Sequence, residues 1–446
     1  MSQDQTEEAA RASRAGTHAE ASSSFKSKTR AQEQREQQIQ VTPNHRLLNS
    51  HNYPVTCVVF SPNNELLATA SRDVRIYDAK TGDIKVILDG HGGLVRSISF
   101  TPDGRLLCSG SDDCVALVWS LEHCFVLCVP GKITTLTPPG GPSSANLPTN
   151  DQKTTTITGN TPQNAGGKEA TASQNFSPLS RIVQRVLKRH HKPVLAVATT
   201  PDSKYLITGS ADKTVRVWDV CTGYIMATLR GHTGEVSTVA VTPNGRRIMS
   251  SGADKVIFVW DFVTGECKRA LRGHKAPVSC LAVAPDGHFL VSGSHDRTLR
   301  VWDLINGNEL ATLSAHTGAY GVLSCAVSSD GSTIMSGGYD NLVKMWDATS
   351  GLALATIQGH RHMVSSVAFS QDSTHLATAG RDDESTAAGS DAASNPKHAT
   401  ERLRTSQKED AQNNRHWAML FGDNSGREDQ DRGGALQRLS SLVRGN

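Results

Sequence analysis

The sequence predicts an all-β fold assembled from one small sheet repeated around an axis, and three observations carry that expectation. Between residues 190 and 347 one pattern recurs four times, led by His190, His232, His274 and His316. Each copy continues with a short apolar run and a small-residue step (ITGSAD, IMSSGAD, LVSGSHD, IMSGGYD). It closes on an aromatic and acidic pair at Trp218-Asp219, Trp260-Asp261, Trp302-Asp303 or Trp346-Asp347. The period is regular: 42 residues from Trp218 to Trp260, 42 to Trp302 and 44 to Trp346, the extra pair lying in HTGAYGV. Within a unit, VSTVAV, RRIMSS, VIFVW and ECKRAL are short and rich in Val and Ile, and the turn signals PNG, ADK and TG separate them, so each unit holds four strands. A lone four-stranded sheet cannot bury both faces, so copies must stack into a ring, a β-propeller.

A period in the low forties with Gly-His and Trp-Asp signatures resembles the WD-repeat family, over about two thirds of the chain. The resemblance implies a seven-bladed ring of four-stranded blades.

From the start of the chain, the elements follow in order. Residues 1–43 are Ala, Ser, Gln, Glu and Arg with scarcely an apolar side chain, a composition expected to be disordered. KSKTRAQEQREQQIQ has no apolar seam for a coiled coil. The first repeat starts at His51 and puts Tyr77 where Trp is usual, and the second ends Trp119-Ser120, again 42 residues on. Trp119 to Trp218 is 99 residues, so an insertion interrupts the repeats. Its Thr, Pro, Gly, Asn and Ser content over 131–180 predicts a mobile loop. Two segments compete to be the outer strand of blade two. CFVLCV (124–129) is preferred, because Phe125, Val126 and Leu127 align with Tyr224, Ile225 and Met226 after the tryptophan, and RIVQRVL is the rival. Under the first reading, RIVQRVLKRHHK is a basic flank able to touch an acidic partner, or a solvated charged segment.

The seventh repeat begins at GHRHMVSSVAF and breaks after residue 383, with a second disordered insertion expected over 384–414. RHWAMLFGDNSG (415–426) is expected to return and complete the blade, since Phe421 to Gly426 repeats the spacing of Trp218 to Gly223. The rival readings are a degenerate blade, or insertions that are retained introns. RLLNS (46–50) stands before His51 as ATLRG stands before His232, and so supplies the outermost strand of blade seven and closes the ring. The ring domain is thus 44–426, with a tail at 427–446 whose GALQRLSSLVR has helix-like apolar spacing.

By the same resemblance, the His of the loop before a blade, a hydroxyl of its second strand, the Asp of the next turn and the Trp of its third strand form one hydrogen-bonded chain. The sets are His91, Ser109, Asp113 and Trp119; His190, Thr208, Asp212 and Trp218; His232, Ser250, Asp254 and Trp260; His274, Ser292, Asp296 and Trp302; and His316, Ser336, Asp340 and Trp346. The first blade offers His51, Thr69, Asp73 and Tyr77, and the seventh His360, Thr378 and Asp382 with no nearby aromatic. A Ser, His and Asp set invites a hydrolase reading, but a catalytic set occurs once in a cleft, whereas this one recurs in every blade. Its expected role is internal bracing.

Net charge is only +3, which gives no global reason to expect nucleic acid or an anionic membrane as partner. No apolar run reaches transmembrane length and no hydrophobic signal region is seen, so an intracellular protein, cytoplasmic in the first instance or nuclear, is expected without membrane insertion. Nine cysteines without paired CxxC spacing read as free thiols. No metal cluster or phosphate loop stands out, so no cofactor and no enzyme activity are expected. The turns after Trp-Asp lack the Arg that the resemblance to cullin-adaptor-binding propellers would require, which weakens the alternative of a ubiquitin-ligase or signalling adaptor; an RNA-associated or enzymatic propeller ranks below it. The resemblance implies partner proteins or peptides, met by residues at the end of the ring that carries the histidine loops. These are Arg72, Leu94, Arg96, Asp112, Glu235, His295, Tyr339, Met363 and Arg381. The expected molecule is a monomeric ring acting as a scaffold inside a larger complex.

Overall fold

A computed structural model describes residues 45–48, 51, 53–126, 133–137, 154–158, 182–381 and 418–421. The expectations for 1–43, for the tail and for most of both insertions lie outside the described residues. The fold is an all-β propeller of four-stranded blades, with six four-stranded sheets and one six-stranded sheet. Sheets are numbered here by the chain order of their innermost strands.

Sheet three shows the common plan. Val194–Thr199, Tyr205–Ser210, Thr214–Asp219 and Ile225–Arg230 pair antiparallel in sequence order, from the innermost strand outward. The innermost strands of sheets one to seven begin at Cys57, Val95, Val194, Val236, Val278, Val322 and Val364, and each lies against the next, the last against the first.

The core sits between sheets, as it must when each sheet is too small to bury both faces alone. Ile207, Val217 and Leu229 of sheet three pack with Val236, Val239 and Trp260 of sheet four. Leu48, Ala377 and Ala379 pack with Val55, Val58, Leu67 and Tyr77, which joins sheet seven to sheet one. The small-residue step has a steric cause. A Cβ on Gly209 would lie 2.8 Å from Val236 Cγ1 and 2.9 Å from Val239 Cγ1, so only glycine lets the next sheet approach.

A further brace comes from a bulge in the innermost strand, which turns one hydroxyl toward the neighbouring sheet. Ser237 Oγ donates to Val278 O at 2.7 Å and Ser279 Oγ to Val322 O at 2.6 Å. Ser365 Oγ donates to Val55 O across the seven-to-one junction, where Val58 N also donates to Ser366 Oγ at 3.0 Å.

Sheet two corrects the preferred reading of the sequence. Leu121–Val126 is a short helix, and the outer strand is Val183–Lys188, which pairs with Val115–Ser120 in the register Val183↔Trp119 to Lys188↔Val115. The cause is a missing turn residue. Between third and outer strands, Gly223, Gly265, Gly307 and Gly351 all hold φ between +70 and +79°, but Cys124 occupies that position in repeat two. Without glycine the tight return is disfavoured, and the chain coils into the helix, burying Leu121 and Cys124.

The insertion also departs from a plain loop. Ile133–Thr137 pairs in parallel with Ile84–Leu88, the outer strand of sheet one, and Thr154–Thr158 pairs in parallel with Ile133–Thr137. Val86, Ile87 and Leu88 are buried, whereas Cys267–Arg272, the outer strand of sheet four, buries only Leu271. An apolar outer strand needs a cover, and Leu136, fully buried, supplies it.

In sheet seven, Ala418–Phe421 pairs with Leu376–Gly380 on one side and with His45–Leu47 on the other, the order running from Val364–Phe369 outward to the N-terminal strand.

Candidate functional site

Two sets of residues meet at the end of the sheets that holds the histidine loops, called here the histidine face. The loop leading into each sheet lies beside that sheet's second turn. Pro193 O accepts from Ala211 N at 3.0 Å, Pro277 O from His295 N at 3.0 Å and Gly321 O from Tyr339 N at 2.9 Å.

The first set is buried. In sheet three, Trp218 Nε1 donates to Thr208 Oγ1 at 2.9 Å, Thr208 Oγ1 lies 2.7 Å from His190 Nε2, and His190 Nδ1 lies 2.7 Å from Asp212 Oδ2. Indole N–H can only donate, so the hydroxyl accepts it, and the carboxylate accepts from Nδ1–H. Burial of His190 favours the neutral ring, in which Nε2 accepts the proton of the Thr208 hydroxyl. Sheet four repeats this at 2.7, 2.7 and 2.7 Å through Trp260, Ser250, His232 and Asp254. Sheet five has 2.8, 2.7 and 2.8 Å through Trp302, Ser292, His274 and Asp296. Sheet two has 2.8 Å throughout (Trp119, Ser109, His91, Asp113), and sheet six has 3.0, 2.8 and 2.8 Å (Trp346, Ser336, His316, Asp340).

In sheet one, His51 lies 2.6 Å from both Thr69 Oγ1 and Asp73 Oδ1, and the Tyr77 hydroxyl takes the tryptophan's place on Thr69. In sheet seven, His360 Nε2 lies 2.9 Å from Thr378 Oγ1, and Asp382 lies outside the described residues.

The electrostatics match this wiring. Burial pushes the Asp212 carboxyl up, but hydrogen bonds from Thr214 and His190 outweigh it and hold the group down to about 2. Burial is likewise overcome at Asp73 by His51 and Arg75, and at Asp296 by His274 and Thr298, leaving both well below the usual carboxylate range. Burial lowers His190, partly offset by Asp212, which favours the neutral imidazole. Each carboxylate has its lone pairs engaged, Asp254 for example by His232, Thr233 N and Val256 N. Among the described residues, no group of three or more metal-ligating side chains converges.

The second set lies at the surface. Arg72, Glu235 and Arg381 are exposed, and Leu94, Arg96, Asp112, His295, Tyr339 and Met363 are half-buried. Arg96 and Asp112 hold each other through two bonds of 2.8 Å. His295 and Tyr339 are brought together by a residue the sequence pattern does not single out. Tyr320, from the extra pair in HTGAYGV, lies 5.1 Å from Tyr339 and 5.3 Å from His295 between ring centroids. Arg72 stacks 5.2 Å over Tyr53 and donates to its hydroxyl at 3.1 Å. The departure of one loop from the common repeat length was the available signal for Tyr320; Tyr53 had none.

Comparison with known proteins agrees with this architecture. The chain is 27% identical over 206 residues to the nuclear distribution protein nudF of Aspergillus niger, a match covering 40% of this chain and 42% of that one. It is 32% identical over 200 residues to nuclear distribution protein PAC1 of Arthroderma benhamiae, again 40% and 42%, and 30% identical over 220 residues to human WD repeat-containing protein 18, covering 37% and 50%. The chain thus spans half or less of the length of these relatives. The family model for the WD domain, G-beta repeat, matches residues 42–78, 82–120, 181–219, 223–261, 265–303, 307–347 and 351–384. With the sheets and the recurring His, hydroxyl, Asp and Trp geometry, those matches make this chain a member of the WD-repeat family.

Proposed function

We propose that the chain is a non-enzymatic scaffold that docks partner proteins or peptides on its histidine face. In this reading residues 44–426 form one closed seven-bladed ring, interrupted at 131–180 and 384–414. The six-stranded sheet is then a four-stranded blade with two strands added from the first insertion. The observation that carries the proposal is the wiring of the titratable groups. The histidines, hydroxyls and carboxylates that resemble catalytic groups are spent on one another in sheet after sheet, so function falls to the surface side chains above them. Aromatic and Arg side chains are the usual anchors of protein interfaces, and Arg72, His295, Tyr339 and Arg381 occupy consecutive sheets there. The setting is intracellular, cytoplasmic or nuclear.

Lysine cross-linking of the full chain purified with its partners tests this directly. Exposed Lys192, Lys213, Lys255 and Lys275 lie on the histidine face, and Lys80 and Lys204 on the opposite one. Partner cross-links are expected on the first group. Cross-links confined to Lys80 and Lys204 would reject the proposed face.

A further inference from the structure

We infer that the junction between sheets two and three binds a phosphate monoester group, gripped by the guanidinium of Arg216 with Arg189 and Arg230 beside it.

Arg216 is a buried cation whose donors the fold leaves unspent. It is 8% exposed, and among the described residues it makes no hydrogen bond or ion pair. Its Nε is wholly enclosed without an acceptor. Buried donors are nearly always paired, because an unpaired one forfeits the hydration it had in water. Two other sheets carry arginine at the same place, two residues before the aromatic, and both give it a carboxylate. In sheet one, Arg75 Nε donates to Asp73 Oδ2 at 2.9 Å. In sheet five, Arg300 also leaves its Nε bare, but its Nη1 donates to Glu309. The sequence explains the difference. Glu309 stands opposite Trp302 on the outer strand of sheet five, whereas the residue opposite Trp218 in sheet three is Ile225.

The unspent donors face sheet two. Thr214, Arg216 and Trp218 share one side of their strand, and Trp218 packs with Leu187 and Val118 of sheet two. The outer strand sets Arg230 opposite Thr214 on that same side. From sheet two, Leu187 turns toward sheet three, and Arg189, two residues on, continues that side. Arg189 comes from the basic segment RIVQRVLKRHHK, to which the ring and its bracing give no charge partner. Burial lowers the Arg216 guanidinium from its ordinary value; Asp212 opposes this, and the nearby charges of Arg230 and Arg189 add to it.

The carboxylates at this junction are engaged elsewhere. Asp212 accepts from His190 Nδ1, His191 N, Thr214 N and Thr214 Oγ1. In sheet two, Asp113 is held by His91 and Asp112 by Arg96. Unspent donors rather than net charge therefore define the site. A phosphate monoester brings about −1.5 to −2 charge and three acceptor oxygens near neutral pH, and an arginine fork takes two of them in parallel. A carboxylate, with one charge and two oxygens, matches three guanidiniums less well. Free phosphate and a phosphorylated side chain of a partner share this chemistry, and the test separates them.

The full chain is titrated calorimetrically with inorganic phosphate and with a Gly-flanked phosphoserine peptide, against sodium chloride of equal ionic strength and the unphosphorylated peptide. Both phosphate probes should bind and raise the melting temperature. Affinity should fall about tenfold or more in Arg216→Met. Arg300→Met, which removes a guanidinium already held by Glu309, should leave binding unchanged. Ile225→Glu supplies sheet three with the carboxylate of sheet five, and should abolish binding with Arg216 still in place. It also carries the test should Arg216→Met fail to reach the parent melting temperature. Tighter binding of the peptide supports the site and assigns its ligand to a partner; equal binding supports it with free phosphate as ligand.

Binding of neither probe, or undiminished binding by Arg216→Met or Ile225→Glu, would overturn the inference. So would oligothymidylate binding more tightly than the peptide through Arg216. Binding that appears only when Asp151→Asn and Glu169→Gln remove the two carboxylates of the first insertion would overturn it too, by making one of those the occupant.

Discussion

Removing one carboxylate from one sheet is the sharpest probe of the internal wiring. Asp254 accepts from His232 Nδ1 at 2.7 Å, from Thr233 N at 3.1 Å and from Val256 N at 3.4 Å, and its side chain is 5% exposed. In Asp254→Ala the three donors lose their acceptor unequally. Thr233 is exposed and its N–H can turn to water, and the Val256 contact is long, so little is lost at either. The His232 N–H is buried, and its bond is to a charged group. Leaving such a donor unmet costs about 1–3 kcal/mol. At about 2–4 °C per kcal/mol, the shift found in domains somewhat smaller than this ring, that corresponds to a fall in melting temperature of about 2–12 °C.

The control is Asp286→Ala on the opposite face, where an exposed carboxylate accepts only the exposed His288 N at 2.9 Å. Asp254→Asn keeps an acceptor oxygen while removing the charge, and should fall between the two. Differential scanning calorimetry on the four chains gives the comparison. An Asp254→Ala midpoint no lower than that of Asp286→Ala would show that the His232 network does not brace the sheet, and the hydroxyl, histidine and carboxylate would regain standing as reactive groups.

Two other outcomes follow from the same structure. The titrating groups share one sign: an unfolded histidine takes up its proton below about pH 6.5 while buried His190 resists it, and unfolded aspartates do so below about pH 3.9 while Asp212 holds out to about 2. Urea midpoints should therefore be highest near neutral pH, begin to fall below about 6.5 and fall further below about 4; constant or rising midpoints between pH 8 and 5 would contradict the neutral-imidazole wiring. Leu136→Asp should strip the cover from Ile84–Leu88, so amide hydrogen exchange in that strand should rise while that of Val256–Asp261 stays as in the parent; unchanged exchange in Ile84–Leu88 would show that the parallel addition does not protect sheet one.

Most of the architecture was legible because a ring of equal units makes every constraint recur. One Trp-Asp pair means little, but the same pair at equal spacing with the same histidine and turn glycine specifies a strand order. The misreading of sheet two arose where repetition lapsed. Aligning Phe125, Val126 and Leu127 with Tyr224, Ile225 and Met226 used distance from the tryptophan, a measure that fails once the turn glycine is replaced by Cys124. A better signal was available upstream of the histidine. Leu187 precedes His190 by three residues, as Leu229, Leu271 and Leu313 precede His232, His274 and His316, and each is the buried residue of its outer strand. Anchoring to a buried contact succeeds where counting along a turn does not. The parallel strands Ile133–Thr137 and Thr154–Thr158 were hidden for another reason. Their β-branched Thr and Ile content favours strand, but the partner that makes pairing worthwhile, the apolar IKVIL edge, belongs to a different repeat.

The positions of the two insertions show what the ring tolerates. In sheet two the break follows Trp119, after all four members of the braced set have been laid down, so His91, Ser109 and Asp113 close locally before the chain departs. In sheet seven the break falls between second and third strands and separates His360 and Thr378 from the strand that returns. That strand places Phe421 opposite Leu376, the register that Trp218 holds opposite Leu206, and phenylalanine carries no N–H to start the chain of donors. The seven-to-one junction keeps the kind of inter-sheet contact seen at the other junctions. Ser365 and Ser366 bond to sheet one, Gln371 N donates to Asn64 Oδ1 at 2.6 Å, and Leu48, Val55 and Val58 build a core with Ala377 and Ala379. The small-residue step of the seventh unit, LATAG, is buried throughout, as in the other sheets, although its aromatic position carries Phe421.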